Sequence, residues 1–183
     1  MEYAKLKHYL EFAGILSCNS NPYLPSLPDL GYCWQDITEA INAHELFYSK
    51  VFRNRTVYLS NRVYFLLKQI FLQKPLRPEA EIIYSLLEDN ILETSEIKRL
   101  SCFDTKTYTS AFNFLLENMY ITAYKDGKPI NPNWSTFVYS TASYWENHVE
   151  KTATEENPQE LLKDILTRTM SEEQFLLLVK SHS

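Results

Sequence analysis

Short polar and basic side chains cluster between residues 98 and 128, and their types suit contact with nucleic acid. Lys and Arg pair with phosphate oxygens, whereas Thr, Ser and Asn can hydrogen-bond to base edges in the major groove. The candidates for such contacts are Lys98, Arg99, Lys106, Thr107, Thr109, Ser110, Asn113, Lys125 and Lys128. Their spacing predicts contact with duplex DNA through one helix and one flanking hairpin.

The residue types that commonly carry catalysis or bind metals are scattered along the chain. The four histidines, His8, His44, His148 and His182, contain no His-x-x-x-His pair, and the three cysteines, Cys18, Cys33 and Cys102, contain no Cys-x-x-Cys pair. The three glycines lie too far apart for a phosphate-binding loop. We therefore predict free thiols and no catalytic, metal or cofactor site. We expect His44 to be a packed, neutral side chain.

Three helices are predicted to position the candidate contact residues. Pro78 fits the first turn of a helix that runs to about Asp89, and Thr94 or Ser95 can cap a second, short helix. Asp104 can cap a third helix over residues 105–118. The third helix would present its polar side chains to the major groove.

A β-hairpin is predicted to follow these helices. Residues 119–124 alternate in the manner of a strand, and residues 135–139 form a returning strand. Residues 125–129 are predicted to form the turn, in which Gly127 would accept a positive φ. Three helices followed by a hairpin is the order of a winged helix-turn-helix, with the hairpin as the wing.

The residues before this unit are predicted to be mainly helical. A helix is expected over about residues 2–16, and a long helix from Trp34 to Val51 would be closed by the positive charge of Arg53 and Arg55. A short strand is expected at residues 56–59, and Ser60 can cap a helix over residues 61–72.

Two short helices, starting at Pro158 and after Ser171, are predicted at the end of the chain. The predicted class is mainly α (α+β), a winged helix-turn-helix with additional N-terminal and C-terminal helices. The predicted division is residues 1–76, a helical region with a short strand; 77–150, the winged-helix domain; and 151–183, a C-terminal helical extension packed on the same body. The last helices could also form a homodimer interface.

Composition and charge limit the possible partners. Residues 79–140 contain nine acidic and five basic side chains, and the formal net charge of the chain is -5, so no global positive field attracts DNA. The N-terminus lacks the apolar core of a secretory signal, and no apolar run approaches about 20 residues. We therefore expect a cytoplasmic protein with no membrane partner.

Several spaced residues resemble the family of proteins related to the AlkZ/YcaQ DNA glycosylases. They are Leu24-Pro25-Ser26-Leu27, Trp34 at the start of a helix, Pro78-Glu79-Ala80, and the sequence Trp-Ser-Thr-Phe-Val-Tyr at residues 134–139. The resemblance extends to about Glu150. It implies tandem winged-helix ancestry and a connection to the removal of alkylated or cross-linked bases from DNA.

The chain departs from these glycosylases at their Gln-x-Gln motif, because no two of its glutamines lie two residues apart. It is also about half as long as the full enzymes and has no room for their β-barrel. We therefore expect a non-enzymatic winged-helix DNA-binding protein, in a regulatory or repair-accessory role. The alternatives are a protein-interaction or scaffold module with this fold and, second, a glycosylase-like enzyme.

Overall fold

The computed structural model describes residues 2–131 and 134–182 of the chain. Its helices are α1 (Glu2–Ala13), α2 (Leu27–Leu30), α3 (Trp34–Asn42), α4 (Asn61–Ile70), α5 (Pro78–Glu88), α6 (Thr94–Ser101), α7 (Thr105–Glu117), α8 (Ala142–Glu146), α9 (Pro158–Leu166) and α10 (Glu172–Lys180). Its strands are β1 (Ile15–Ser17), β2 (Leu46–Phe52), β3 (Arg55–Ser60), β4 (Leu92–Glu93), β5 (Ile121–Asn131) and β6 (Trp134–Thr141).

The strands form two antiparallel sheets of three strands each. The first sheet has the order β1-β3-β2, with Tyr58 of β3 paired to both Leu16 and Tyr48. The second sheet has the order β4-β6-β5, in which Tyr139 of β6 pairs with Leu92 and Ala123. The described residues are 50% helix and 21% strand, so the mainly α class predicted from the sequence is wrong and the class is α+β.

The winged-helix order describes part of the chain only. Residues 78–141 run as helix, short strand, two helices and two paired strands, with β4 joining the edge of the hairpin. The N-terminal sheet lies outside this order, and its strand β2 packs against α7. A winged helix with only helical additions therefore does not account for the molecule.

Strand β2 occupies residues that were predicted to continue a long helix. The helix that begins at Trp34 ends at Asn42, and residues 46–52 form a strand instead. Arg53 and Asn54, with φ of 51° and 53°, form the turn into β3 and do not end a helix. Positive φ at both central residues is typical of the tight hairpin turn whose twist matches its strands.

Both faces of β2 pack against other parts of the protein, and this explains why the sequence pattern predicted a helix there. Leu46 packs in one buried cluster with α5, α6 and α7, whereas Phe47 and Val51 pack in a second cluster around Trp145 and the C-terminal helices. A strand covered on both faces has a continuous apolar run instead of alternating polar residues. Periodicity alone cannot separate such a run from a buried helix.

The hairpin of β5 and β6 differs from its prediction in the position of the turn. Residues 125–129, predicted as the turn, lie inside β5, which pairs with β6 through several register shifts. Residues 132 and 133, between the two strands in the sequence, lie outside the described residues. Gly127 does not have the predicted positive φ, which among the glycines is found at Gly14 and Gly31. Among the described residues, no helix is both long and apolar enough to cross a membrane.

Candidate nucleic-acid interface

Helix α7 is fixed at its start by Asp104. Oδ1 of Asp104 accepts hydrogen bonds from the backbone N–H groups of Lys106 and Thr107, each at 2.9 Å, and Oδ2 accepts one from the Thr107 hydroxyl at 2.8 Å. This is the N-cap that the sequence predicted. The bonds from Thr107 lower the pKa of Asp104, so its carboxylate is negative at neutral pH.

One face of α7 is buried and the opposite face is polar. The buried residues are Tyr108, Ala111, Phe112, Phe114, Leu115 and Leu116. Lys106, Thr109 and Ser110 are exposed, and Asn113 is half-buried. Residues spaced by three and four positions lie on one side of a helix, so these four form a continuous polar stripe, which we call the α7 stripe.

The structure uses some of the predicted contact residues for internal bonds. The Thr107 hydroxyl is engaged by Asp104, and Lys98 Nζ donates to Thr105 Oγ1 at 2.8 Å. Arg99 is exposed near the end of α6. Lys98 therefore lies beside the first turn of α7, next to the α7 stripe.

Two basic residues beside α7 were missed in the sequence. Lys50 of β2 donates from Nζ to Asn113 Oδ1 at 2.8 Å, and the Arg77 guanidinium lies 4.5 Å from the centre of the Phe114 ring. The Lys50 contact joins residues 63 positions apart, and no local pattern could reveal it. Arg77 stands directly before the helix-starting Pro78, which was the available signal.

A cavity of about 370 Å³ opens between the start of α5 and the α7 stripe. It is lined by Arg77, Glu79, Ala80, Lys106, Thr107, Ser110 and Ala111. The two cations, Arg77 and Lys106, and the Ser110 hydroxyl suit a phosphate oxygen. The Thr107 hydroxyl already donates to Asp104, and the negative charge of Glu79 opposes a phosphate. Lys50, Arg77, Lys98 and Lys106 thus supply positive charge around α7, against Glu79 and Asp104.

The two basic residues of the hairpin, Lys125 and Lys128, differ in their contacts within the fold. The backbone N–H of Lys128 donates to Glu93 Oε1 at 3.1 Å, and its Nζ lies 3.8 Å from Glu93 Oε2. Glu93 is buried at the N-cap of α6. Lys125 is exposed and pairs in register with Val138. The charge of Lys128 is therefore partly neutralised within the fold, whereas that of Lys125 is available.

The histidines and cysteines are the other residues that the sequence raised as candidates for metal binding or catalysis. Within residues 2–131 and 134–182, no group of three or more His, Cys, Asp or Glu side chains is arranged to hold a metal ion. The cysteines are free thiols. His44 does not lie on a helix as predicted; it follows α3 with a φ of 54° and packs on Tyr124.

These features define an α+β protein in which helix α7, preceded by α5 and α6 and followed by a hairpin, presents a polar stripe flanked by cations. The model of the AlkZ-related family matches residues 24–174, and the chain belongs to that family. No curated protein and no solved structure matches the chain.

Proposed function

We propose that the protein binds duplex DNA by placing the first half of α7 in the major groove. The observation that carries this proposal is the α7 stripe, where Lys106, Thr109 and Ser110 are exposed on a helix fixed at its N-terminus. In helix-turn-helix proteins the N-terminal residues of the corresponding helix contact the base edges. Membership of the AlkZ-related family supports a role connected to DNA.

The side chains divide into two kinds of contact. Lys50, Arg77, Lys98 and Lys106 flank α7 and would pair with phosphates on either side of the groove. Thr109 and Ser110 would reach base edges, and Asn113 would join them when Lys50 turns to a phosphate. Arg99 and Lys125 would add phosphate contacts, whereas Lys128 would do so only by leaving Glu93.

The charge balance predicts binding that depends strongly on salt. Phosphate contacts by Lys50, Arg77, Lys98 and Lys106 alone would give a slope of log affinity against log salt of about -3.6 for B-DNA, and Arg99 and Lys125 would make it steeper. The net charge of -5 adds no long-range attraction, so we expect affinity to rest on these local contacts. We propose a regulator or repair accessory that performs no base removal, because the glutamines do not form the Gln-x-Gln motif.

Fluorescence anisotropy with a random duplex, at several salt concentrations, tests this proposal. Lys106→Ala and Arg77→Ala should each weaken binding and reduce the magnitude of the slope by about 1. Lys163→Ala is the matched control, because Lys163 is an exposed cation on α9 that pairs with Glu172 at 3.1 Å. Equal losses in all three variants, or binding that does not respond to salt, would contradict the proposal.

A protein-interaction role is the second candidate, and one observation favours it. Ile130, near the end of β5, and Trp134, at the start of β6, are 67% and 50% exposed. Large exposed apolar side chains are typical of binding surfaces. If the wild-type protein shows negligible affinity for duplex DNA at low salt, this second candidate gains support. A homodimer through α9 and α10 stays a prediction, which light scattering on the purified protein can test.

A further inference from the structure

A cavity between α3 and the hairpin brings two indole rings together with two carboxylates. It is lined by Trp34, Gln35, Thr38, Glu39, Asp126, Pro129, Asn131, Trp134 and Ser135, and its volume is about 240 Å³. Pockets for drug-sized ligands have volumes of about 300–1,000 Å³, so the size of this cavity suits a single side chain better. No residue of α7 lines the cavity, which is therefore separate from the α7 stripe.

Both walls of the cavity are held in place by hydrogen bonds within the fold. Asp36 Oδ2 accepts a hydrogen bond from the Cys33 N–H at 2.8 Å, which fixes the first turn of α3, where Trp34 lies. At the last residue of α3, Asn42 Oδ1 accepts a hydrogen bond from the Asp126 N–H of β5 at 2.9 Å. Because α3 is tied to the hairpin in this way, the cavity is already formed in the free protein.

Trp34 and Trp134 form the aromatic side of the cavity. Their ring centres are 4.6 Å apart, and the ring centre of Trp34 is 4.7 Å from that of Phe137. Phe137 is buried, whereas Trp134 is half-exposed, so part of the Trp134 ring surface is open to a partner. The contact with Trp34 already orders the Trp134 ring, which reduces the entropy that is lost when a ligand binds.

The charge of the lining is negative. Glu39 of α3 and Asp126 of β5 are exposed carboxylates. Among the described residues that line the cavity, none is Lys, Arg or His. Lys125 precedes Asp126 in the sequence but does not line the cavity. The cavity therefore attracts a cation and repels a phosphate group.

An arginine side chain has the properties that this lining selects. Its guanidinium group is planar and positively charged, stacks on aromatic rings, and presents several N–H donors in a geometry that matches carboxylates. A lysine ammonium group would be attracted by the same charge but lacks the planar geometry. Trp and Arg are also enriched among the residues that contribute most of the binding energy in protein interfaces.

We propose that this cavity binds an arginine side chain of a partner polypeptide, with the guanidinium against Trp134 and its N–H groups donating to Glu39 and Asp126. Ile130, which is exposed between two lining residues of β5, would contact an apolar part of the same partner. The inference rests on the protein-interaction candidate, for which it specifies the chemistry of the partner. It does not depend on DNA binding by α7.

An NMR titration of the full-length protein with the peptide acetyl-Gly-Arg-Gly-amide tests the site. The three tryptophans, Trp34, Trp134 and Trp145, each give one indole N–H resonance, and Trp145, which has no exposure, serves as the internal reference. We expect the peptide to shift the resonances of Trp34 and Trp134 in a saturable manner and to leave that of Trp145 unchanged. The peptide with citrulline in place of arginine has the same shape without the charge, and it should cause little shift.

Conservative variants separate the effect of charge from loss of folding. Glu39→Gln and Asp126→Asn should each lower the affinity for the arginine peptide about two- to fivefold, which is the range for one exposed ion pair. Glu173→Gln is the matched control, because Glu173 is an exposed carboxylate on α10 that does not line the cavity. It should bind the peptide as the wild type does. Circular dichroism should be the same for all three variants.

Three results would overturn the proposal. The first is an arginine peptide that shifts neither Trp34 nor Trp134, and the second is a citrulline peptide or a Glu39→Gln, Asp126→Asn double variant that binds as tightly as the original pair. The third is a shift of Trp134 by single-stranded oligothymidine and not by the peptide, which would assign the ring to nucleic acid instead. Duplex binding by α7 is measured separately in the anisotropy assay, so the two proposals can fail independently.

Discussion

Replacing Gly127 with alanine tests why a glycine is needed in the hairpin. Gly127 lies inside β5, and its φ is outside the left-handed region, so alanine faces no backbone strain there. An added Cβ would instead contact the Thr136 side chain on the neighbouring strand and would lie 3.0 Å from Glu93 Oε1. The close approach of these two side chains, and not a turn, explains the glycine.

The stability cost of Gly127→Ala depends on how far the side chains of Thr136 and Glu93 can move away from the added Cβ. Glu93 Oε1 accepts from the Lys128 N–H at 3.1 Å, and Glu93 is buried. Overpacking of this kind costs about 1–3 kcal/mol. Alanine recovers about 0.5–1 kcal/mol, because glycine loses more backbone entropy when it folds into a strand. We therefore expect Gly127→Ala to lower the free energy of unfolding by up to about 2.5 kcal/mol.

Urea unfolding followed by circular dichroism measures this change. Thr136→Ala removes the nearest obstacle, so the double variant should recover at least half of the loss, beyond the small effect of Thr136→Ala alone. Gly31→Ala is the comparison, since Gly31 has a φ of 75° with no atom within 4 Å of an added Cβ, and its cost should not respond to Thr136→Ala. A Gly127→Ala variant more stable than the wild type, or a loss that Thr136→Ala does not relieve, would refute the steric explanation.

Three further predictions concern stability. His44 has a pKa below its ordinary value; the unfolded chain therefore binds the proton first, and stability present above about pH 6.5 should be lost as pH falls through the lower folded pKa. Urea midpoints between pH 8 and pH 5 should show this loss, and a smaller one in His44→Asn. Ser60→Ala removes the cap bond to Val63 N–H at 3.3 Å and should cost about 1 kcal/mol in urea unfolding. Leu162→Ala, at a side chain with no exposure, should cost about 2–5 kcal/mol, and a cost near zero would mean that α9 does not pack on α4.

Local signals in the sequence were sufficient for several elements. Asp104 and Ser60 cap α7 and α4 as predicted, because a cap depends only on residues within one turn. The spacing of Tyr108, Phe112 and Leu115 is likewise a local feature, and all three lie on the buried face of α7. Membership of the AlkZ-related family, expected from the sequence, is confirmed.

Features that depend on distant partners could not be predicted. Strand β2 was mistaken for a helix, because its two faces pack in different buried clusters and leave no alternation to detect. The role of Gly127 depends on Thr136 and Glu93, which approach only after the sheet forms. Lys50 joins the α7 stripe across 63 positions. The predicted DNA contacts stay a prediction, because their effect on binding is a property of the complex.

The proposal that α7 contacts duplex DNA is tested most directly by mapping the protein surface that DNA covers. Hydrogen exchange and NMR shift changes should be measured with and without a random duplex at low salt. If α7 enters the major groove, protection and shifts should concentrate at residues 105–113 of α7, at Lys98 and at Arg77, with the C-terminal helices unchanged. Changes confined to the hairpin end or the C-terminal helices, with α7 unaffected, would contradict it.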